Sequence, residues 1–418
     1  MSKKFTPDKQ ILEKIAEVYP TPFYVYSEQE IRARARGLNR AFSWNKGYKE
    51  YYAVKACPTP RILEILKQEG CGVDCASLCE LMLAEACGFR GDEIMFSSNE
   101  TPAGEFSYAK KLGAIINLDD ITLIDYLKEE CGMPEKICLR YNPGGEFQIG
   151  NAIMGKPWDA KYGMTRPQIF EAIEKCMQLG VKEFALHAFL VSNTIDVNYY
   201  PTLAGVLMQL AADAVKKMGC KITMLNLSGG IGIPYLPGQE EVDINAVGTG
   251  VAEKYQDILI SNGLSDIRLS TELGRYMTGP TGRLITRAVH EKHTYKDYIG
   301  VDACAADLIR PAMYGAYHHI SIAGKENEPS TEKYDIVGSL CENNDKFAVD
   351  RMLPKIELGD ILVIHDAGAH GRAMGYNYNG RLRCAEILLK ENGGFELIRR
   401  AETPKDYFAT LDICKEFQ

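Results

Sequence analysis

The chain has 418 residues, 46% of them apolar and 25% charged, enough to bury a large core and to divide into two domains of ordinary size. A formal charge of −8 and a pI near 5.6 argue against nucleic acid or an anionic membrane surface as partner, while leaving room for a local basic pocket for a phosphate or carboxylate. The expected partner is therefore a small molecule.

The opening "MSKKFTPDKQ" leads into an amphipathic stretch and not into an apolar signal core, and no run approaches the ~18 apolar residues of a membrane span, so a cytoplasmic protein is expected. Thirteen cysteines, scattered from Cys57 to Cys414, suit reduced thiols better than a disulfide framework. The densest group, Cys71, Cys75 and Cys79 in "CGVDCASLCE", lacks the close CxxC pairs of a zinc site, and no metal is expected.

In chain order, short β-rich runs then alternate with amphipathic helical ones. "EYYAVKA", "CGVDCA", "EIMFSS", "AIINLD", "KICLRYN", "EFALHAF", "ITMLNLS" and "DIRLSTE" make about eight strands, the number of a closed βα barrel. Between them, runs such as "PRILEILKQEG" and "TLIDYLKEECG" repeat apolar residues at three and four spacing and stop at glycine. After about residue 280 the pattern changes to extended runs, "RLITRAVHEKH", "KYDIVGSLCE" and "GDILVIHDAG". The expected fold is α/β: a (β/α)8 TIM-like barrel over 30–279, then a C-terminal β-rich domain over 280–418 on which residues 1–29 pack. No Pro, Gly or Ser-rich linker marks the boundary.

Barrel enzymes gather their chemistry at the C-terminal ends of the strands. Reading each run to its end yields Lys55, Asp74, Ser97, Arg140, His187, Ser228 with Gly229 and Gly230, and Glu272. A lysine amine in such company can bond a carbonyl, and pyridoxal phosphate exploits that bond as an electron sink. The backbone of "NLSGGIGIPY" can close on a phosphate, Glu272 can face a pyridine nitrogen, and the ring of His187 can stack on the cofactor. Each residue alone has a plainer reading: a solvated lysine, a tight turn, an exposed carboxylate, a core histidine.

Taken in order, "YYAVKA", "GVDCASLCEL", "LRYNP", "SGGIG", "ELGR", "DLIRPAMYGAYH", "LCENNDKFAVDR" and "YNYNGRLRCAE" resemble the alanine-racemase-like pyridoxal-phosphate decarboxylases, nearest to the diaminopimelate decarboxylase family. The resemblance implies that Lys55 anchors the cofactor, that His187 lies on its ring face, and that Gly230, Glu272, Gly274, Arg275 and Tyr378 serve its phosphate and pyridine. It implies Cys341 as the acid that protonates carbon, Arg275, Arg310 and Tyr314 as the site for a distal carboxylate, and Glu342 for a distal ammonium. The implied reaction is decarboxylation of meso-2,6-diaminopimelate to L-lysine and CO2, the last step of lysine biosynthesis. The implied assembly is a homodimer with shared active sites, Cys341 and Glu342 reaching the partner's barrel.

Three segments depart from the family pattern. "HAFLVSNT" stands where a His-x-Gly-Ser-Gln turn is common, with Ser192 as the hydroxyl that would approach the phosphate. "ELGR" replaces Glu-Pro-Gly-Arg, and "GAHGRAMG" carries His370 where Tyr is common. The alternatives are a decarboxylase of ornithine, arginine or carboxynorspermidine, and an inactive homologue that binds a partner enzyme. Intact Lys55, Glu272 and Cys341 count against the second.

Overall fold

The fold is that of a computed structural model, which describes residues 5–146, 156 and 158–412. It divides into two compact units. One comprises Arg32–Ile233 and Glu240–Tyr276; the other comprises the chain up to Ile31, Pro234–Gln239, and the chain from Met277 onward.

The first strand, β1 (Phe23–Ser27), belongs to the second of these units. The first unit is a closed barrel of eight parallel strands: β2 (Lys49–Ala53), β3 (Gly72–Cys75), β4 (Ile94–Ser97), β5 (Ile115–Leu118), β6 (Lys136–Arg140), β7 (Glu183–His187), β8 (Ile222–Asn226) and β9 (Arg268–Thr271). All eight expected strands are present. The helices between them start and stop as the sequence implies. Pro60 opens the helix Pro60–Gln68, where its missing N–H costs nothing, and Gly70 follows the helix with φ +87°.

Alternation along the strands builds the barrel interior in layers. Tyr51, Met95, Ile115, Cys138, Ala185 and Met224 form one buried apolar cluster. Two residues further along each strand, on the same face, stand Ala53, Ser97, Asn117, Arg140, His187 and Asn226. An apolar layer thus underlies a polar one at the C-terminal end, as expected where a site is carried by a rigid scaffold.

The second unit is built on a nine-stranded sheet. Its main path runs β14 (Lys346–Leu353), β13 (Glu332–Val337), β11 (Asp297–Val301), β10 (Gly282–His293), β1, β16 (Ala385–Leu389) and β17 (Phe395–Arg399). Off that path, β15 (Ile361–Ile364) pairs with both β10 and β12 (Ile320–Ile322). β1 was not among the expected strands. It lies between β10 and β16, its five residues all buried, and Phe23 and Val25 pack with Leu12, Ile15, Ile285, Val363 and Ile387. Among the described residues no helix is long and apolar enough to cross a membrane, and no His, Cys, Asp and Glu group is placed to hold a metal ion.

Candidate active site

The polar layer of the barrel is organised around one carboxylate. Glu272, just past β9, is 6% exposed and accepts from Asn226 Nδ2 at 2.7 Å, Ser228 Oγ at 2.9 Å, His187 Nε2 at 3.2 Å and, more weakly, Ser97 Oγ at 3.5 Å. Burial by itself would raise its pKa. The imidazole of His187, its hydrogen bond, Lys55 and the Ser228 hydroxyl overcome that and hold the carboxyl well below its ordinary range. An ionised acid is therefore fixed at the centre of the strand ends.

Lys55 lies in the single turn Val54–Ala56 that follows β2, with a half-exposed side chain. Its Nζ is 3.6 Å from Asp74 Oδ2 on the neighbouring strand, where the register Ala53↔Asp74 places the two strand ends side by side. Desolvation disfavours the ammonium, but the carboxylates of Asp74, Glu272 and Glu80 outweigh it and raise the amine's pKa. Asp74 is itself buried, and desolvation together with Glu272 pushes its pKa well up. One amine thus faces two buried acids.

After β8 the chain makes the glycine-rich turn. Ser228 takes a left-handed φ of 53°, its N–H donates to Asn226 Oδ1 at 2.8 Å, and its carbonyl accepts from Tyr200 at 2.6 Å. The turn is strapped to the segment after β7: Thr194 N–H donates to the Gly230 carbonyl, Gly232 N–H to the Thr194 carbonyl, and Ile233 N–H to Asn193 Oδ1. A Cβ on Gly230, where φ is +122°, would lie 2.7 Å from the Tyr199 ring and 2.8 Å from the Val191 carbonyl. Only glycine fits there. The N–H groups of Gly229 and Gly230 have no acceptor among the described residues, as a phosphate cradle requires. An amine, an ionised acid and free amides within one strand-end layer fit a phosphorylated pyridine aldehyde.

The expected residues divide between the units. Lys55, His187, Ser228, Gly229, Gly230, Glu272, Gly274 and Arg275 lie in the barrel unit, with Arg275 buried. Arg140, also expected at the strand ends, is held by Asp119 at 2.8 Å and Asn99 at 3.0 Å, its guanidinium over the Tyr162 ring. His187 is expected to offer a ring face; its edge is committed to Glu272, and its Nδ1 is buried without a hydrogen-bond partner among the described residues. Asn226 was missed altogether. The signal for it was the same alternation that selects His187, since Asn226 stands two residues past the interior Met224.

Arg310, Tyr314, Cys341, Glu342 and Tyr378 lie in the other unit, where three loops meet. Arg310 opens the short helix Arg310–Tyr314, is 5% exposed, and has its guanidinium 5.4 Å from the Tyr235 ring and 5.9 Å from that of Tyr314. The loop bearing Cys341 and Glu342 is pinned by Asp345, which accepts the N–H groups of Leu340 and Ala305 at 2.8 and 2.7 Å. Asn344 Nδ2 donates to the Ala312 carbonyl, and the N–H of Cys341 to Asn379 Oδ1, next to Tyr378. Cys341, Glu342 and Tyr378 remain exposed on that unit. The described cysteines are all free thiols.

Comparison with known proteins agrees with this chemistry. Residues 28–279 match the family described as pyridoxal-dependent decarboxylase, pyridoxal binding domain. The chain is 36% identical to Protein TabA of Pseudomonas amygdali pv. tabaci over 397 residues, covering 95% of this chain and 92% of that one. It is 35% identical to the diaminopimelate decarboxylase of Methanothermobacter thermautotrophicus over 395 residues, covering 94% and 92%. The crystal structure of the M. jannaschii diaminopimelate decarboxylase in co-complex with L-lysine superposes with a TM-score of 0.87 at 28% identity, over 97% of this chain and 95% of that one. A barrel whose strand ends hold a lysine, a buried acid and a glycine cradle, matched over residues 28–279 by that family's model, places the chain in the pyridoxal-dependent decarboxylase family, with pyridoxal phosphate as its cofactor.

Proposed function

We propose that the chain is a carboxy-lyase that converts meso-2,6-diaminopimelate to L-lysine and CO2. The observation that carries this reading is the ionised Glu272, gripped by Asn226, Ser228 and His187 in the same layer as the Lys55 amine. Pyridoxal phosphate, when bound, supplies the electron sink that accepts the bonding electrons of the departing carboxylate. Lys55 would hold the cofactor through its aldehyde. Glu272 would hold a proton on the pyridine nitrogen and so keep that ring electron-poor. His187, Asn226 and Ser228 keep Glu272 ionised and aimed, and the amides of Gly229 and Gly230 would bind the phosphate, with Ser192 and Tyr378 assigned to the same group. Cys341 Sγ–H delivers the proton to carbon after CO2 departs.

Specificity is assigned to the far end of the substrate. Arg275, Arg310 and Tyr314 take its distal carboxylate, Arg310 with a planar donor fork, and Glu342 takes the distal ammonium. A mono-carboxylate such as ornithine would leave these cations without their anion. The similarity to diaminopimelate decarboxylases and the L-lysine seated in one structural relative support this choice. The active form is proposed to be a homodimer in which Cys341 and Glu342 complete the partner's site.

TabA, whose name specifies no substrate, is as similar to this chain as those enzymes are. The test is therefore comparative: CO2 release from meso-diaminopimelate, lysine, ornithine, arginine and carboxynorspermidine. The expected result is kcat/KM for diaminopimelate at least about 100-fold above the rest, and a preference for any mono-carboxylate would overturn it.

A further inference from the structure

We propose that Glu50 is a positioning residue that closes the seam between the first and last barrel strands and thereby sets Glu272 against Lys55. The proposal rests on the cofactor assignment, and its evidence is the geometry of that seam. β2 and β9 pair only at Lys49↔Ser270 and Glu50↔Thr271. Beyond that point the side chain of Glu50 continues the pairing: Oε1 accepts the N–H of Leu273 at 2.7 Å, and Oε2 is bonded to Thr271 Oγ1. One carboxyl thus grips the residues on either side of Glu272. Five residues after Glu50, in the turn that follows the same strand, comes Lys55. Gly274, the next residue after the gripped Leu273, packs against this strand end so closely that a Cβ there would lie 2.7 Å from that of Ala56.

Glu50 touches neither the amine nor the acid it aligns. Alternation puts its side chain on the outer face of the barrel, opposite the interior Tyr51. There it is 1% exposed, with Tyr48 bonded to the same Thr271 hydroxyl at 2.6 Å and with Tyr200, Tyr276 and Cys71 around it. Glu272 and Asp74 act on it from the barrel interior, and no lysine or arginine among the described residues pairs with it. Desolvation and those two acids push its pKa up to about 8, against the pull of its two hydrogen bonds. Thr271 donates to Oε2 of the carboxylate form; in the neutral acid that prevails at neutral pH, Oε1 still accepts from Leu273 while Oε2 carries the proton and the Thr271 bond reverses. Glutamine reproduces that donor and acceptor pattern, and alanine removes both.

The test measures how fast the holoenzyme releases pyridoxal phosphate on dilution, followed by its visible absorbance, for wild type, E50Q and E50A between pH 6.5 and 9.5. The wild-type band, recorded first, tests the cofactor assignment separately. At pH 7, E50Q should release cofactor within about twofold of wild type and E50A about tenfold faster or more. Between pH 7 and 9 the wild-type rate should rise relative to that of E50Q, because only wild type acquires a buried charge beside Glu272. Release from E50A at the wild-type rate, E50Q as impaired as E50A, or a wild-type to E50Q ratio that stays flat with pH would each overturn the proposal. The last comparison uses two isosteric proteins and stands even if E50A fails to fold.

Discussion

A lysine beside a buried aspartate is commonly an ion pair and nothing more, and it is the second acid, Glu272, that changes its meaning. With Asp74 alone the amine would be neutralised; with both, it is also held by the field of an acid that His187, Asn226 and Ser228 keep ionised. Lys55→Ala should abolish turnover and the visible cofactor band, checked by absorbance of the purified protein. Cys341→Ser should retain the band while slowing turnover by about 10- to 1,000-fold, read as kcat, because proton delivery to carbon is the only step assigned to it. Glu50 also makes stability depend on pH. Its folded pKa lies near 8 against an ordinary value of 4.5, so its contribution is complete below about pH 4.5 and is lost as pH rises through 8. E50Q should remove on the order of 5 kcal/mol of that decline, visible as a flatter dependence of Tm on pH.

At the scale of elements, the site depends on two straps that no single strand could supply. One joins the segment 191–194 to the glycine turn 229–233, and the other is the Glu50 clasp across the barrel seam. The first shows how "HAFLVSNT" works in place of the family's turn: Asn193, at φ 62°, spends its side-chain oxygen on the N–H of Ile233. Gly230→Ala should weaken cofactor binding by at least about tenfold with little change in the rest of the barrel, since its Cβ meets a backbone carbonyl that cannot move without breaking that strap. The strands themselves were legible in the sequence because period-two runs such as "EYYAVKA" and "ITMLNLS" are bounded by helical periodicity. Lys55, Asp74, His187 and Glu272 were legible because strand ends are easy to locate. Asn226 needed interior parity as well as the strand end. Glu50 was not legible, because its partners lie 221 and 223 residues away and only barrel closure brings them together.

For the whole molecule, the two units carry different halves of the proposed chemistry: amine, acid and cradle in the barrel, and thiol, arginine and Glu342 in the sheet unit. The change of pattern near residue 280 was legible as a shift from alternating to extended runs. The return of Pro234–Gln239 to the sheet unit was not, because a six-residue excursion leaves no periodicity to read. The proposed sharing of sites makes a direct prediction about assembly. Mixing inactive K55A and C341A proteins under subunit exchange should restore about a quarter of wild-type activity, because half of the dimers are mixed and each then holds one intact site. No recovery would place Cys341 in the site of its own chain or rule out the dimer.

Anchoring of the cofactor on Lys55 is tested by reducing the purified holoenzyme with borohydride, digesting it and locating the pyridoxyl group by mass spectrometry. A single modified peptide containing "YYAVKACP" is expected, with the label on Lys55. Label on any other lysine, or none on a protein that shows the visible band, would contradict it.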